Sequence, residues 1–388
     1  MFPAVFNELS LLGWHDGLAE QLPDLPGGAV PARVARVDRG AAEVIAADGN
    51  HQARFGARVR RAAAADPLAL PCVGDWVALA RLDLSSSQGG RYELAEVLPR
   101  RTAFVRGGVS RDSRGGLSGD GQGQVLAANV DVVFVAEPSM HATPPEGPGG
   151  VVPPGKHSAD LGRIERLVAL AWESGARPVV LVTKADLFEQ GLDDLLADVA
   201  AAAPGVDVHP VCSLTGDGVD LVRAHLGPSG TAVVLGASGA GKSTLVNALA
   251  GAEVMETQQI RAADGRGRHT TVHRQLIVLP GGGLVIDTPG IRRVGLYEMS
   301  QGVDLVFSDI EELAEDCRFS DCRHREEPGC AVLAAVESGE LPERRLESWN
   351  RLQREAAWMA RRTDARLRAE ETRKWKTIHK QMRGMGRP

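Results

Sequence analysis

The sequence has no apolar run of the ~20 residues that a membrane-spanning helix needs. It has no excess of positive charge either. The 44 Lys and Arg stand against 50 Asp and Glu, a net charge of −6, which argues against binding nucleic acid in bulk. Cysteine is scarce, five among 388 residues, and no signal peptide is recognisable. These absences point away from a membrane protein or a secreted, disulfide-stapled one, and the expected compartment is the reducing cytoplasm. Cys72 and Cys212 sit alone in apolar runs and read as packed thiols.

Glycine is plentiful, and its placement carries chemistry. In residues 231–244, TAVVLGASGAGKST, an apolar strand runs into Gly236-x-x-x-x-Gly241-Lys242-Ser243, the pattern of a phosphate-binding loop. Without Cβ atoms at Gly236 and Gly241, the backbone can wrap Gly236, Ala237, Ser238, Gly239, Ala240 and Gly241 around a polyphosphate, with N–H groups turned inward. Lys242 supplies a point charge for the β- and γ-phosphates, and the Ser243 hydroxyl a ligand for Mg²⁺. Thr244 continues the loop into a helix whose positive end faces the anion.

The base is suggested by Thr183-Lys184-Ala185-Asp186, again after an apolar strand. The Asp186 carboxylate can accept from guanine N1–H and its exocyclic amine, a pairing that adenine cannot offer. The Lys184 stem can lie over the base. An Asn is usual where Thr183 stands, so one amide contact is lost or replaced by a hydroxyl; read alone, the string also fits a strand-end turn in which Asp186 caps a helix. Val211-Cys212-Ser213-Leu214-Thr215-Gly216 reads as a second guanine loop, with Ser213 beside the base carbonyl. Farther on, GGLVIDTPG places Asp287 to order a water on Mg²⁺ and Gly290 to sense the γ-phosphate. Between them lies Gly265-Arg266-Gly267-Arg268-His269-Thr270-Thr271, a switch-like segment from which Thr271, or its neighbour Thr270, can close over Mg²⁺.

The order of these parts is unusual. The guanine loops precede the phosphate loop, whereas ordinary GTPases run phosphate first and guanine last, so the chain reads as circularly permuted. The segment after Gly290 then leads straight into the next domain, and movement at the switch can be passed on to it. That domain opens with Cys317-x4-Cys322-x-His324-x5-Cys330, a ligand set suited to one structural, tetrahedral zinc ion. The alternative, a disulfide and a free thiol, needs an oxidising compartment.

Length allows two or three domains. Residues 1–106 hold an N-terminal segment and short alternating strands that read as a small β-barrel, most simply an OB-fold with an oligonucleotide-binding face, or a purely structural barrel. Residues 107–123 read as a flexible linker, and 124–300 as an α/β GTPase domain with a mobile Pro/Gly-rich insertion at 141–157. Residues 301–388 read as the zinc module with a basic helical tail. Leu346, Trp349, Leu352, Ala356 and Met359 are spaced for one helical face. The tail at 361–388 has ten Lys and Arg against three Asp and Glu, with Trp375 and His379 interleaved. It suits an RNA backbone or a plain solvated helix.

The barrel, permuted GTPase and zinc module, in that order, resemble the bacterial RsgA (YjeQ) family. The resemblance rests on Gly74-Asp75-Trp76-Val77, Ala127-Ala128-Asn129-Val130-Asp131, GASGAGKST, His269-Thr270-Thr271, DTPG and the zinc spacing, and covers nearly the whole chain. It implies a cytoplasmic, monomeric GTPase that uses GTP/GDP, Mg²⁺ and one Zn²⁺. It further implies binding to the small ribosomal subunit and its rRNA, with hydrolysis stimulated there as a timer late in maturation. The resemblance also offers His269 as the group that orients the attacking water, because Ile291, where many GTPases have Gln, cannot hydrogen-bond water. Departures are Thr183, the 141–157 insertion and the Gly/Arg-rich stretch ahead of the GTPase. A large-subunit assembly GTPase, a P-loop ATPase or kinase, and an RNA-binding scaffold with nucleotide as a conformational lock are the competing readings.

Overall fold

Alternating apolar and polar residues in the first hundred positions fold into antiparallel strands that turn one side inward. The structure, a computed structural model, describes residues 9–20, 28–82, 92–106, 110–111, 117–118, 123–139, 159–187, 191–255, 274–287 and 300–363. Strands β1 (Val30–Asp38), β2 (Ala41–Ala46), β3 (Gly49–Phe55), β4 (Trp76–Arg81) and β5 (Tyr92–Val97) close into a barrel, with helix α1 (Ala57–Ala65) between β3 and β4. The order around it is β1-β2-β3-β5-β4, with β3 and β5 parallel. This is the OB arrangement expected from the sequence. Its interior is filled by small and branched side chains, among them Ala32, Val34, Val44, Ala53, Val77 and Leu79, with Val59 of α1 packed against them. Closure leaves no strand edge in the barrel for another chain to pair with.

Strands β6 (Ala103–Arg106) and β9 (Gln124–Ala128) pair with each other. The stretch between them reads as a linker by composition, yet β7 (Ser110–Arg111) and β8 (Leu117–Ser118) pair antiparallel within it.

From residue 132 the pattern changes to continuous apolar strands alternating with helices, which predicts a parallel sheet covered on both faces. In chain order the elements are β10 (Val132–Pro138), α2 (Leu161–Glu173), β11 (Arg177–Thr183), α3 (Leu192–Ala202), β12 (Asp207–Val211), α4 (Val219–Leu226), β13 (Thr231–Gly236), α5 (Lys242–Ala250), β14 (Gln275–Val278) and β15 (Leu284–Asp287). The sheet order is β12-β11-β10-β13-β15-β14. Every neighbouring pair is parallel except β14 with β15. All seven residues of β10 are buried. Helices α4 and α5 set Val222, Leu226, Leu245 and Leu249 against Val132, Phe134, Val179 and Leu181, and α2 packs on β10 and β11.

The chain divides into two compact units, residues 1–105 with 125–293 and residues 106–124 with 294–388. Barrel and nucleotide-type sheet therefore belong to one unit, and a buried polar junction joins them. Gly74 has φ +91°, and a Cβ there would meet the Ala128 carbonyl oxygen at 2.2 Å. Asn129, itself left-handed at φ 54°, donates through Nδ2 to Gly74 O at 3.1 Å and accepts from Arg101 N at 3.0 Å. The buried Arg33 reaches across from β1, donating to Gly74 O at 3.3 Å and Asn129 O at 2.9 Å, and also to Leu12 O. Burial pulls its pKa down to about 10. Asp75, fully buried, holds Arg100 through both carboxylate oxygens at 2.7 and 2.8 Å. Burial works against the Arg100 charge, and the paired carboxylate more than offsets it, raising its pKa.

The second unit contains α6 (Ser300–Val306), α7 (Ser308–Glu315), α8 (Ala331–Ser338) and α9 (Glu343–Thr363). Its core includes Val303, Phe307, Ile310, Val332, Leu346 and Leu352. On α9, Leu346 and Leu352 are buried as their spacing predicts, and Trp349 donates to Glu311 at 3.2 Å; the Met359 side chain lies outside those described. Arg345 is buried against the Phe307 ring and binds Asp309 at 2.5 and 2.7 Å. Among the described residues no helix is long and apolar enough to cross a membrane.

Gly74→Ala is expected to destabilise the first unit by about 2–4 kcal/mol, since neither the backbone angle nor the Ala128 carbonyl can yield cheaply. A urea denaturation midpoint that matches the wild type would contradict the packing described at this junction.

Candidate functional site

The carboxyl ends of the parallel strands lie on one side of the sheet, where ligands of open α/β folds bind. Gly236 ends β13 with φ +147° and passes so close to β10 that a Cβ would meet the Ala136 carbonyl oxygen at 2.1 Å. The loop Ala237–Gly241 follows, and Gly241 caps α5 in the left-handed region at φ 75°. The first turn of α5, from Lys242 to Thr244, directs its N–H groups toward the loop, an arrangement ready for an anion. Lys242 folds back over the loop, its Nζ donating to Ala237 O at 2.5 Å. That bond holds the ammonium over the space the loop encloses.

Thr183, the last residue of β11, is buried, and its Oγ1 donates to Ala240 O of the phosphate loop at 2.9 Å, with Glu137 O at 3.3 Å. The residue that departs from the usual guanine motif thus braces that motif against the phosphate loop. Lys184 follows with φ 59°, its carbonyl accepting from Ser139 Oγ at 2.7 Å. Asp186 lies exposed in a single helical turn, Ala185–Leu187. After β12, the Cys212–Asp217 loop is closed by Gly216 N to Cys212 O and Cys212 N to Asp217 O, both 2.9 Å. Ser213 is half-buried within it, and Asp287 is half-buried at the end of β15. His269, Thr271 and Gly290 lie outside the described residues.

Two residues here belong to no sequence motif. Ser139, just past β10, donates through its backbone N–H to Thr183 O at 2.9 Å as well as through its hydroxyl to Lys184. Glu137 is buried and held by Arg163 at 2.5 and 2.9 Å, with Asp160 N at 3.0 Å. Together they pin the end of β10 to the guanine-type turn and to the start of α2. A charged residue within an otherwise apolar strand was the one available hint.

In the second unit, Cys317, Cys322, His324 and Cys330 bring one ligand atom each to within 4.8 Å of all the others. Cys317 Sγ lies 3.6 Å from His324 Nδ1 and 3.9 Å from Cys330 Sγ, and His324 Nδ1 is 3.3 Å from Cys330 Sγ. Zn–S bonds of about 2.3 Å and Zn–N bonds of about 2.0–2.1 Å in a tetrahedron require edges close to these. A disulfide would need sulfurs about 2.05 Å apart, and all five cysteines are free. The residues present therefore fit zinc. Burial opposes the Cys317 thiolate, but N–H groups of Ala331 and Val332 at the start of α8 draw its pKa down. The Trp349 and His324 rings meet in a T-shaped contact, 5.4 Å between centroids. Between the ligands, Glu327 accepts from the N–H groups of Arg325, Glu326 and Arg323 at 2.8–3.2 Å, which draw its carboxyl down to about 2.

A family model described as RsgA GTPase matches residues 151–297. The small ribosomal subunit biogenesis GTPase RsgA of Streptomyces coelicolor is 50% identical, over 95% of this chain and 92% of that one. The protein of the same name from Streptomyces avermitilis is 48% identical, over 97% and 93%. Among solved structures, YjeQ from Thermotoga maritima gives a TM-score of 0.56 at 22% identity, over 84% of this chain and 98% of that one. YloQ, a circularly permuted GTPase, gives 0.53 at 23% identity, over 85% and 96%. At these identities the two structures speak to fold, and the sheet described above has the permuted strand order that the motif order predicts.

Thr183→Val keeps the shape but strips the Ala240 carbonyl of its buried donor, and should weaken GDP and GTP binding about tenfold, or ~1.4 kcal/mol. Fluorescence titration with a labelled guanine nucleotide measures this. Metal analysis of purified protein is expected to give one zinc per chain, and His324→Ala should lose both the metal and the cooperative melting of the second unit.

Proposed function

The chain belongs to the RsgA GTPase family, and from that premise we propose that it hydrolyses GTP on the small ribosomal subunit, as a timer or checkpoint late in that subunit's maturation. The observation that carries the reading is the Thr183 hydrogen bond to Ala240, which joins a guanine-type motif to a phosphate cradle in one site. In this reading Asp186 and Ser213 select guanine, Lys184 covers the base, and residues 236–244 hold the phosphates with the Lys242 charge. Mg²⁺, when bound, would neutralise charge developing on the β- and γ-phosphates. Ser243 and Thr271 are the hydroxyls that would hold it, and Asp287 would order its water. His269 orients the attacking water or takes its proton, and Gly290 reports the γ-phosphate.

The partner chemistry follows from the same parts. In this reading the water-positioning group waits for its partner, which leaves the isolated site unfinished, so turnover waits for the subunit. The larger segment of the second unit starts at Val294, four residues past Gly290 in sequence, so in this reading a change at the γ-phosphate has a short length of chain to cross. We assign the rRNA of the small subunit as the direct contact, zinc as the ion of the Cys3His centre, and a monomer in the cytoplasm as the working state.

The test is turnover of GTP and of ATP by the purified protein, alone and with isolated small or large subunits. Slow GTP-selective turnover, raised more than tenfold by the small subunit alone, is the expected result. Stimulation by the large subunit would move the protein to the other assembly branch, and absence of stimulation by either would favour an RNA-binding scaffold. His269→Ala should retain GTP affinity while losing roughly 100-fold or more of the stimulated rate.

A further inference from the structure

Guanine presents two acceptors, N7 and O6, along one edge, and donors at N1 and the exocyclic amine along another. A carboxamide at the head of a guanine-type motif has donors enough for the first edge. It carries two N–H bonds, so one can serve a loop carbonyl while the other serves the base. Thr183 stands in that position, and a hydroxyl carries a single proton. Two carbonyl oxygens compete for that proton, Ala240 O at 2.9 Å and Glu137 O at 3.3 Å. Whichever of them receives it, none is left for a purine acceptor, and the lone pairs that remain on Oγ1 repel one. Thr183 is also only 2% exposed, so it offers a base no surface.

The backbone around it is committed in the same way. Thr183 lies in the sheet between Pro138 of β10 and Val211 of β12. Its carbonyl and that of Lys184 both accept from Ser139, from the N–H at 2.9 Å and the hydroxyl at 2.7 Å. Ser139 is buried, and its hydroxyl, like that of Thr183, is turned to a carbonyl and away from any ligand. Asp186, exposed in the turn Ala185–Leu187, keeps two carboxylate oxygens that match the N1–H and amine edge. We propose that this site leaves N7 of the base unread: it recognises guanine by its N1, amine and carbonyl groups, and accepts guanine nucleotides whose N7 acceptor has been removed. Thr183 is then a positioning residue, which braces the phosphate loop and by that use of its proton decides which edge of the base is discriminated. This deepens the functional reading above and rests on it for guanine as the base, but not for where the Thr183 proton goes.

The experiment is a competition titration on the full-length protein, in which labelled GDP is displaced by GDP, 7-deaza-GDP, IDP or ADP. The wild type is compared with T183V and T183N, with melting temperature as the control of folding. 7-deaza-GDP replaces N7 by a C–H group and keeps every other polar group, whereas IDP lacks only the exocyclic amine. The wild type is expected to bind 7-deaza-GDP within about twofold of GDP, and IDP about tenfold or more weakly, for want of one charge-assisted bond to Asp186. T183V should weaken GDP and 7-deaza-GDP by the same factor, because the hydroxyl it removes serves the loop and not the base. T183N should gain a preference for GDP over 7-deaza-GDP of about three- to tenfold, the worth of one neutral hydrogen bond. A wild type that binds 7-deaza-GDP more than about threefold weaker than GDP would overturn the proposal even if neither variant folds. So would IDP bound as tightly as GDP, a T183V loss confined to GDP, or a folded T183N that stays indifferent to N7. Equal affinity for ADP and GDP would sink the guanine reading and the proposal with it, whereas rejection of both ADP and 7-deaza-GDP would sink the proposal alone.

Discussion

Parallel strands joined by crossovers must all present their carboxyl ends along one side of a sheet. This constraint fixes the nucleotide-type site whatever order the strands take in the chain. β13 with its phosphate loop, β11 and β12 with the guanine-type turns, and β15 with Asp287 all end on that side. Cutting and rejoining the chain elsewhere moves the termini and leaves the constellation intact. The Thr183–Ala240 bond spans 57 positions, yet in space it links neighbouring loops.

The same unit must hold a barrel rigidly beside that sheet, and it does so with buried polar groups. Arg33 surrenders much of its hydration, as its lowered pKa records, and is compensated by three backbone carbonyls. Asp75 and Arg100 compensate each other, with Cys72 N donating to the same carboxylate at 2.8 Å. Such groups are costly when a partner is lost and direction-specific when all partners are present. A barrel joined in this way keeps its orientation to the sheet, which an apolar contact alone would define less sharply.

How much of this could be read in the sequence depended on distance along the chain. The phosphate loop and the Cys3His centre are set by residues within 14 positions of one another, so spacing alone revealed them. The barrel was legible as alternation in β2, where Ala42, Val44 and Ala46 are buried in turn, although its closure depends on the parallel β3–β5 pair, which no local pattern encodes. The junction was visible only as two strings of residues shared with a family. Its physical content, the Asn129 amide on the Gly74 carbonyl, spans 55 positions. Thr183 looked like a weakened base contact because a motif describes residue types and says nothing of which way a buried hydroxyl turns.

The permuted strand order has a consequence for the chain as it is being made. Synthesis runs from the N-terminus, so β10, β11 and β12 leave the translating ribosome with both guanine-type turns before β13 exists. During that interval β10, the buried centre of the finished sheet, has β11 on one side and open hydrogen-bonding groups on the other. Thr183 has no Ala240 carbonyl to meet until the phosphate loop emerges. Until β13 is made, β10 keeps an unpaired edge, and α2 covers one face of the β10–β11 pair. Nucleotide binding is thus the last competence the nascent first unit acquires, and the order of motifs is also a timetable of assembly.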